Sequence, residues 1–119
     1  MSKLTLYGIP NCDTVKKARR WLDEQSIAYV FHNFKKDGVP AASLANWVET
    51  HGLDKVVNRR GTTWRKLNDE QKAVVEAGGD AALKLLAAES SMIKRPVLEK
   101  AKHTLIGFSV EDWSSALKL

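Results

Sequence analysis

Cysteine is almost absent from this chain of 119 residues: Cys12 is the single thiol. One cysteine excludes an internal disulfide and a cysteine-rich zinc site, so a reducing compartment, the cytoplasm, is the expected setting. Long apolar runs are also missing. The apolar stretches are only a few residues long, and Met1-Ser2-Lys3-Leu4-Thr5 runs straight into a strand pattern without an apolar leader core. Neither a membrane span nor secretion is therefore expected. No internal repeat, low-complexity tract or nucleotide-binding motif occurs. The three histidines, His32, His51 and His103, share no ligand spacing. No bound metal or cofactor is expected.

What is present suits one globular domain with an embedded subdomain. A chain of this size removes roughly two thirds of its unfolded surface from water, enough for a core without staples. Hydrophobic residues make up 44% and charged residues 28%, which argues against disorder. Nineteen Lys and Arg against fourteen Asp and Glu leave a net charge of +5. That surplus permits nucleic acid, anions or acidic thiol partners. It sits in two clusters: Lys55, Arg59, Arg60, Arg65 and Lys66 against Asp54, and Lys94, Arg95, Lys100 and Lys102 against Glu99. A charge cluster by itself also reads as a solvated face. With no RNP-like motif, zinc pattern or recognition helix, nucleic acid is not an expected partner.

Leu4-Thr5-Leu6-Tyr7 alternates like a strand, and Gly8-Ile9-Pro10-Asn11 punctuates it as a loop. From Asp13 to Gln25, Val15, Ala18, Trp21, Leu22 and Gln25 share one helical side, with Arg19/Asp23 and Arg20/Glu24 four apart on the other. Ser26 ends that helix. Residues 29–34 read as a second strand, which makes a β-α-β unit with parallel strands. Lys35-Lys36-Asp37-Gly38 is turn chemistry. Pro40 suits a first helical position, and Leu44, Trp47, Val48 and His51 recur at helical spacing up to Gly52. Asn68-Asp69-Glu70-Gln71 has the form of an N-terminal capping box for a helix closed by Gly78-Gly79, and Asp80 is placed to cap the next. Val97-Leu98 and His103–Ile106 form a hairpin about a Glu99–Lys102 turn. Ser109 caps a last helix expected to bury Val110, Trp113, Ala116 and Leu117. The order is that of a thioredoxin-like α/β fold with a mixed four-stranded sheet. The core is 1–36 and 92–119, and an all-helical insertion of three or four short helices spans about 37–91.

Cys12 stands between a strand and a helix, at or beside the helix N-cap. Unpaired N–H groups and the positive end of the helix dipole favour a thiolate there. Thr14 adds a hydroxyl near that turn, and Lys16 and Lys17 add positive charge against Asp13. The alternative is a buried, inert cysteine. Pro96, directly after Arg95 and before a strand, is a position where a cis peptide can shape the chain. His51 lies on an apolar stripe and reads as a core or cap residue. Trp21, Trp47 and Trp113 fit core stripes, and Trp64 beside Arg65 is the one tryptophan placed near a site.

Three segments together resemble the arsenate reductase ArsC/Spx family, most closely its YffB-like branch. They are Leu6-Tyr7-Gly8-Ile9-Pro10-Asn11-Cys12-Asp13-Thr14, Asn58-Arg59-Arg60-Gly61 and Ile93-Lys94-Arg95-Pro96-Val97. The resemblance implies a thioredoxin-like fold, a cis Pro96 and a Y-x-x-P-x-C loop presenting Cys12 as the nucleophile. It offers Arg60 or its neighbour Arg59 as one oxyanion-holding arginine and Arg95 as a second. Where the reductases carry a third arginine, this chain has Gly107-Phe108-Ser109. Their His-Asn pair is replaced by Gly8-Ile9, and the arginine on the following helix is replaced around Lys16.

An arsenate dianion needs several charge-assisted donors, and losing one typically removes ~1.5–3 kcal/mol. The resemblance therefore implies a glutathione-dependent monothiol reductase, with Cys12 catalytic. Arg59, Arg60, Arg95, Pro96, Asn11, Thr14 and Lys16 would then bind substrate or glutathione. Glutathione, or a protein thiol or disulfide, is the expected partner. Two alternatives stay open: a weak arsenate reductase, and an RNA polymerase-binding regulator of the Spx type. Cys12-Asp13-Thr14-Val15 lacks the second cysteine of the Spx C-x-x-C switch.

Overall fold

The computed structural model describes residues 4–101 and 103–117. The chain divides into two compact units, with Asp37–Lys94 as one and the segments up to Lys36 and from Arg95 onward as the other.

The second of these is the sheet unit. It runs β1 (Leu4–Gly8), α1 (Asp13–Glu24), β2 (Val30–Asn33), then β3 (Val97–Lys100), β4 (His103–Ile106) and α8 (Val110–Ala116). The strand order is β2-β1-β3-β4. β1 and β2 are parallel, and the other two pairings are antiparallel. This mixed sheet with β-α-β and β-β-α halves is the thioredoxin-like arrangement. Side chains alternate across a strand, so Leu4 and Leu6 point to one face. There they pack with Leu98, with Ala18 and Leu22 of α1, and with Trp113 of α8.

α1 ends in a Schellman arrangement: Ile27 N–H donates to Leu22 O and Ser26 N–H to Asp23 O, both at 3.0 Å. Ser26 takes the left-handed conformation, φ 57°, that glycine usually supplies there. Arg19 does not pair with Asp23 in the described structure. Its guanidinium lies 4.2 Å from the centre of the Phe31 ring, and its Nε donates to the Tyr29 hydroxyl at 3.2 Å. An aromatic edge two strand positions wide outcompetes a solvated carboxylate, whose pairing is worth little.

The hairpin differs from expectation. Glu99 and Lys100 belong to β3, because the strand is central and its backbone pairs Thr5↔Glu99 and Leu4↔Lys100 whatever the side-chain polarity. Ala101, at φ 55°, opens the turn, and Lys102 lies outside the described residues. The second strand stops at Asn33. Its Oδ1 accepts the N–H groups of Lys35 (2.9 Å) and Lys36 (3.4 Å) and starts a single helical turn, α2 (Phe34–Asp37).

Ser109 does cap α8, accepting Asp112 N–H at 3.3 Å. The helix spans two turns, so only one position faces the core squarely. Trp113 is fully buried, while Val110 is 48% exposed, Ala116 is exposed and Leu117 half-buried. Trp113 Nε1 donates to Gly107 O at 3.1 Å, and its ring meets Phe108 edge-on at 4.8 Å.

The helical unit contains α3 (Ala41–His51), α4 (Leu53–Val56), α5 (Thr62–Lys66), α6 (Asp69–Ala77) and α7 (Asp80–Ala88), then a 3-10 turn at Ser90–Met92. The expected three or four helices exclude α4 and α5, which are single turns too short to show periodicity. Pro40 is the N-cap of α3 and not its first residue, and Asp80 is the first residue of α7, capped by Gly79. The capping box of α6 is complete: Gln71 N–H donates to Asn68 Oδ1 (2.7 Å) and Asn68 N–H to Gln71 Oε1 (3.0 Å). Gly78, left-handed at φ 73°, closes it. Leu44, Trp47, Val56, Val75, Leu86, Met92 and Ile93 are fully buried. The unit runs on to Lys94 because Val57 bridges Ile93, with Asn58 N–H on Met92 O and Lys94 N–H on Val56 O, both 2.7 Å.

Candidate functional site

In the sheet unit, Cys12 is the N-cap of α1, with extended backbone (φ −85°, ψ 126°). Its N–H donates to Ile9 O at 3.1 Å, which folds the loop back on itself, and its own carbonyl accepts Lys16 N–H at 2.9 Å. The side chain makes no capping hydrogen bond and the residue is partly exposed. The sulfur therefore stands at the end of α1 where first-turn N–H groups lack helical partners. Asn11, Thr14 and Lys16 are exposed around it.

What sets this position is the approach of α1 to the end of β1. A Cβ built on Gly8 would lie 2.8 Å from Val15 Cγ2, and Val15 is fully buried. Only glycine lets the helix begin this close to the strand. A Gly-Ile-Pro-Asn loop is readable in sequence as a turn, but the close approach is not, because Val15 is seven residues away.

Arg95 and Pro96 come to the same end of the sheet by register. Tyr7 pairs with Val97 on antiparallel β3, so the residues before Val97 leave the sheet where β1 ends. Gly8 pairs with Asn33, which brings Lys35 and Lys36 to that end, and Val97 pairs with Ile106, which brings Gly107. The Arg95-Pro96 peptide is cis, Pro96 is buried, and Pro96 O accepts Gly107 N–H at 2.8 Å. Arg95 is half-buried. Tyr7, the first residue of the Y-x-x-P-x-C pattern, turns to the face opposite Leu6. Its hydroxyl donates to Glu99 Oε1 at 3.2 Å, and its ring lies 5.0 Å from His32 and 6.1 Å from Phe34.

In the helical unit the two candidate arginines have different surroundings. The Arg59 guanidinium lies 2.9 Å from Asp54 Oδ1 and 2.8 Å from Glu76 Oε1, with Nε donating to Glu76 at 2.9 Å. It also lies over the Trp64 ring at 5.6 Å. Burial opposes its charge, but the hydrogen bonds and charges of Glu76 and Asp54 outweigh that and raise its pKa above the ordinary arginine value. Arg59 thus ties α4, α5 and α6 together. Arg60 is exposed, and no ion pair or side-chain hydrogen bond among the described residues engages its guanidinium. Its N–H donates to Asn58 Oδ1 at 3.2 Å, which turns the chain.

The Val57↔Ile93 bridge brings part of the second basic cluster to the first. Asp54, Val57, Asn58, Arg59, Arg60 and Lys94 line one cavity of about 290 Å³. Asn58 and Lys94 lie in the segments that carry the family resemblance, but their meeting is not readable there; the bridge that gathers them is an isolated pair with no strand pattern around it. Lys72 Nζ also lies over the Trp64 ring, at 5.8 Å, on the same side chain that Arg59 covers. Among the described residues, no group of three or more His, Cys, Asp or Glu could hold a metal. No helix there is long and apolar enough to cross a membrane.

A model of the ArsC family matches residues 7–116. The solved structure of a YffB protein superposes with a TM-score of 0.87 at 48% identity, covering 97% of this chain and 99% of that one. An arsenate reductase (ArsC) related protein from Brucella melitensis superposes at 0.69 with 42% identity, over 98% and 96% of the two chains. The global transcriptional regulator Spx of Streptococcus pneumoniae is 25% identical over 111 residues, which is 92% of this chain and 81% of the regulator.

Proposed function

This chain belongs to the ArsC family, and on that premise we propose that it is a glutathione-dependent monothiol reductase whose nucleophile is Cys12. The observation that carries the reading is the placement of Cys12. It is a partly exposed N-cap residue whose sulfur is not spent on capping, at the sheet end that also receives Arg95 and Pro96. Helix N-termini stabilise anions, so a thiolate there has a physical basis.

The chemistry is a two-electron exchange. The Cys12 thiolate attacks a substrate disulfide, forming one S–S bond as the old one breaks, and the departing sulfur leaves as a thiolate that takes a proton from water. The thiolate of glutathione then attacks the mixed disulfide at the sulfur that does not belong to Cys12. Cys12 is released as thiolate, and glutathione leaves in a disulfide. For a substrate that is itself a mixed disulfide with glutathione, attacked at the glutathionyl sulfur, the products are the substrate thiol and oxidised glutathione; for any other disulfide a second glutathione exchanges with the mixed product to complete the two-electron reduction. Because the chain holds one cysteine, the resolving thiol is external.

Arg95 is the cation of the sheet unit suited to a glutathione carboxylate, with Asn11, Thr14 and Lys16 bordering the sulfur. In the helical unit Arg60 has the unengaged guanidinium, whereas that of Arg59 is held by two carboxylates. Arsenate chemistry has less support, since Gly107-Phe108-Ser109 supplies no third arginine.

The direct test is turnover of the mixed disulfide of glutathione and 2-mercaptoethanol, with glutathione as reductant. Turnover that Cys12→Ser abolishes supports the reading; turnover that survives the substitution, or none in the wild type, sinks it. A second reading rests on the Spx relative: a regulator that binds RNA polymerase without a thiol switch. Specific retention of RNA polymerase by this chain, equal in Cys12→Ser, would favour it.

A further inference from the structure

The core face of the sheet ends on two basic residues. Leu6, Leu98 and Leu105 share that face across β1, β3 and β4, and the alternation carries it on to Lys100 and His103, which pair across the hairpin. Lys100 is half-buried and His103 exposed, and no carboxylate among the described residues pairs with either. Like charges directly opposite one another on a sheet are destabilising. With Leu98, Leu105, Ala116 and Leu117 the two basic residues line a cavity of about 340 Å³, and none of its described lining residues is acidic. That size falls within the ~300–1,000 Å³ of small-molecule sites.

Register puts this cavity at the far end of the sheet from Cys12. Lys100 pairs with Leu4, whereas Val97 pairs with Tyr7 beside the thiol loop, so the strand rise from Val97 to Lys100 separates them by roughly 10 Å. The walls then decide the chemistry. Leu98 and Leu105 are partners on adjacent strands, so the floor is the face of the sheet and offers side chains, not unpaired backbone groups. A peptide lying there would leave its amides without partners, which is costly, whereas an alkyl chain has none to satisfy. The carbonyl end of α8 carries partial negative charge, so Ala116 and Leu117 suit carbon. A carboxylate belongs on the hairpin side, against the Lys100 ammonium and the His103 ring N–H.

We propose that this cavity binds a medium-chain aliphatic carboxylate, its chain on Leu98, Leu105 and Leu117 and its head group on Lys100 and His103. The site is independent of the chemistry assigned to Cys12.

The test is a magnetic-resonance titration of the full, isotope-labelled chain with octanoate, with 1-octanol and acetate as controls. Octanoate is expected to shift the amides of Leu98, His103, Leu105, Ala116 and Leu117 and to bind about threefold or more tighter than octanol. Acetate at the same concentration should leave those amides unmoved. Lys100→Gln should weaken octanoate by about threefold or more and leave octanol as in wild type, and Ala116→Phe should block both. Octanol bound as tightly as octanoate, acetate acting like octanoate, or octanoate affinity unchanged in Lys100→Gln or in Ala116→Phe overturns the site. Failure of octanoate to bind the wild type overturns it as well; if deletion of Lys118 and Leu119 then admits octanoate, the cavity belongs to those residues.

Discussion

Gly8 and Val15 lie so close that a Cβ on Gly8 would stand 2.8 Å from Val15 Cγ2. Val15 is β-branched and fully buried, so it cannot rotate away cheaply. Gly8→Ala must therefore displace the first turn of α1, the turn that carries Cys12. The substitution should cost about 1–3 kcal/mol by overpacking, read as a lower urea midpoint with an unchanged slope. It should also slow alkylation of Cys12 or change its salt dependence. A stability equal to wild type would mean that the helix start is not held against β1.

Arg59 and Arg60 are adjacent, yet only Arg59 bridges Asp54 and Glu76. Arg59→Ala should lower stability by about 1 kcal/mol, since the network is part-exposed and screened by salt. Arg60→Ala should change stability by less than about 0.5 kcal/mol and weaken glutathione binding. Denaturant melts and calorimetry on the two variants separate these effects. The raised pKa of Arg59 means that deprotonation of its own guanidinium removes the contribution only in strongly alkaline solution, above its folded value. No loss of the Arg59 contribution is therefore expected from deprotonation of the guanidinium in a neutral working range.

The helix ends give two opposite expectations. Asn68→Ala removes the cap and breaks the box with Gln71, which should cost about 1 kcal/mol. Ser26→Gly relieves a left-handed residue at φ 57° and should gain about 0.5–1 kcal/mol despite the greater freedom of an unfolded glycine. Thermal melts of the pair should move in opposite directions.

Arg95→Ala tests the sheet unit's own cation. If Arg95 receives a glutathione carboxylate, the variant should bind S-methylglutathione more weakly by about 1–3 kcal/mol, with Cys12 still reactive toward a neutral alkylating agent. Equal affinity in variant and wild type would remove Arg95 from the site.

Much of this was legible in the chain before its structure. Alternation in Leu4-Thr5-Leu6-Tyr7 and the stripe Val15, Ala18, Leu22 are local signals, and they mark β1 and α1 with Cys12 between them. The box at Asn68 and the Ser109 cap are equally local. What stayed hidden depends on tertiary contact. Single-turn helices such as α4 and α5 carry no period. Glu99 and Lys100 look like turn residues, but pairing with β1 makes them strand. The choice between Arg59 and Arg60 needed Asp54 and Glu76, which sit on separate helices and reach the same guanidinium only in the folded unit. The gathering of Lys94 with Arg60 needed the Val57↔Ile93 bridge.

Uptake of glutathione by Cys12 is read from the intact mass of the chain after incubation with oxidised glutathione. One glutathionyl adduct on the wild-type chain, absent from Cys12→Ser and removed by reduced glutathione, is the expected result. A wild-type chain that stays unmodified under conditions where a model thiol is fully converted would contradict it.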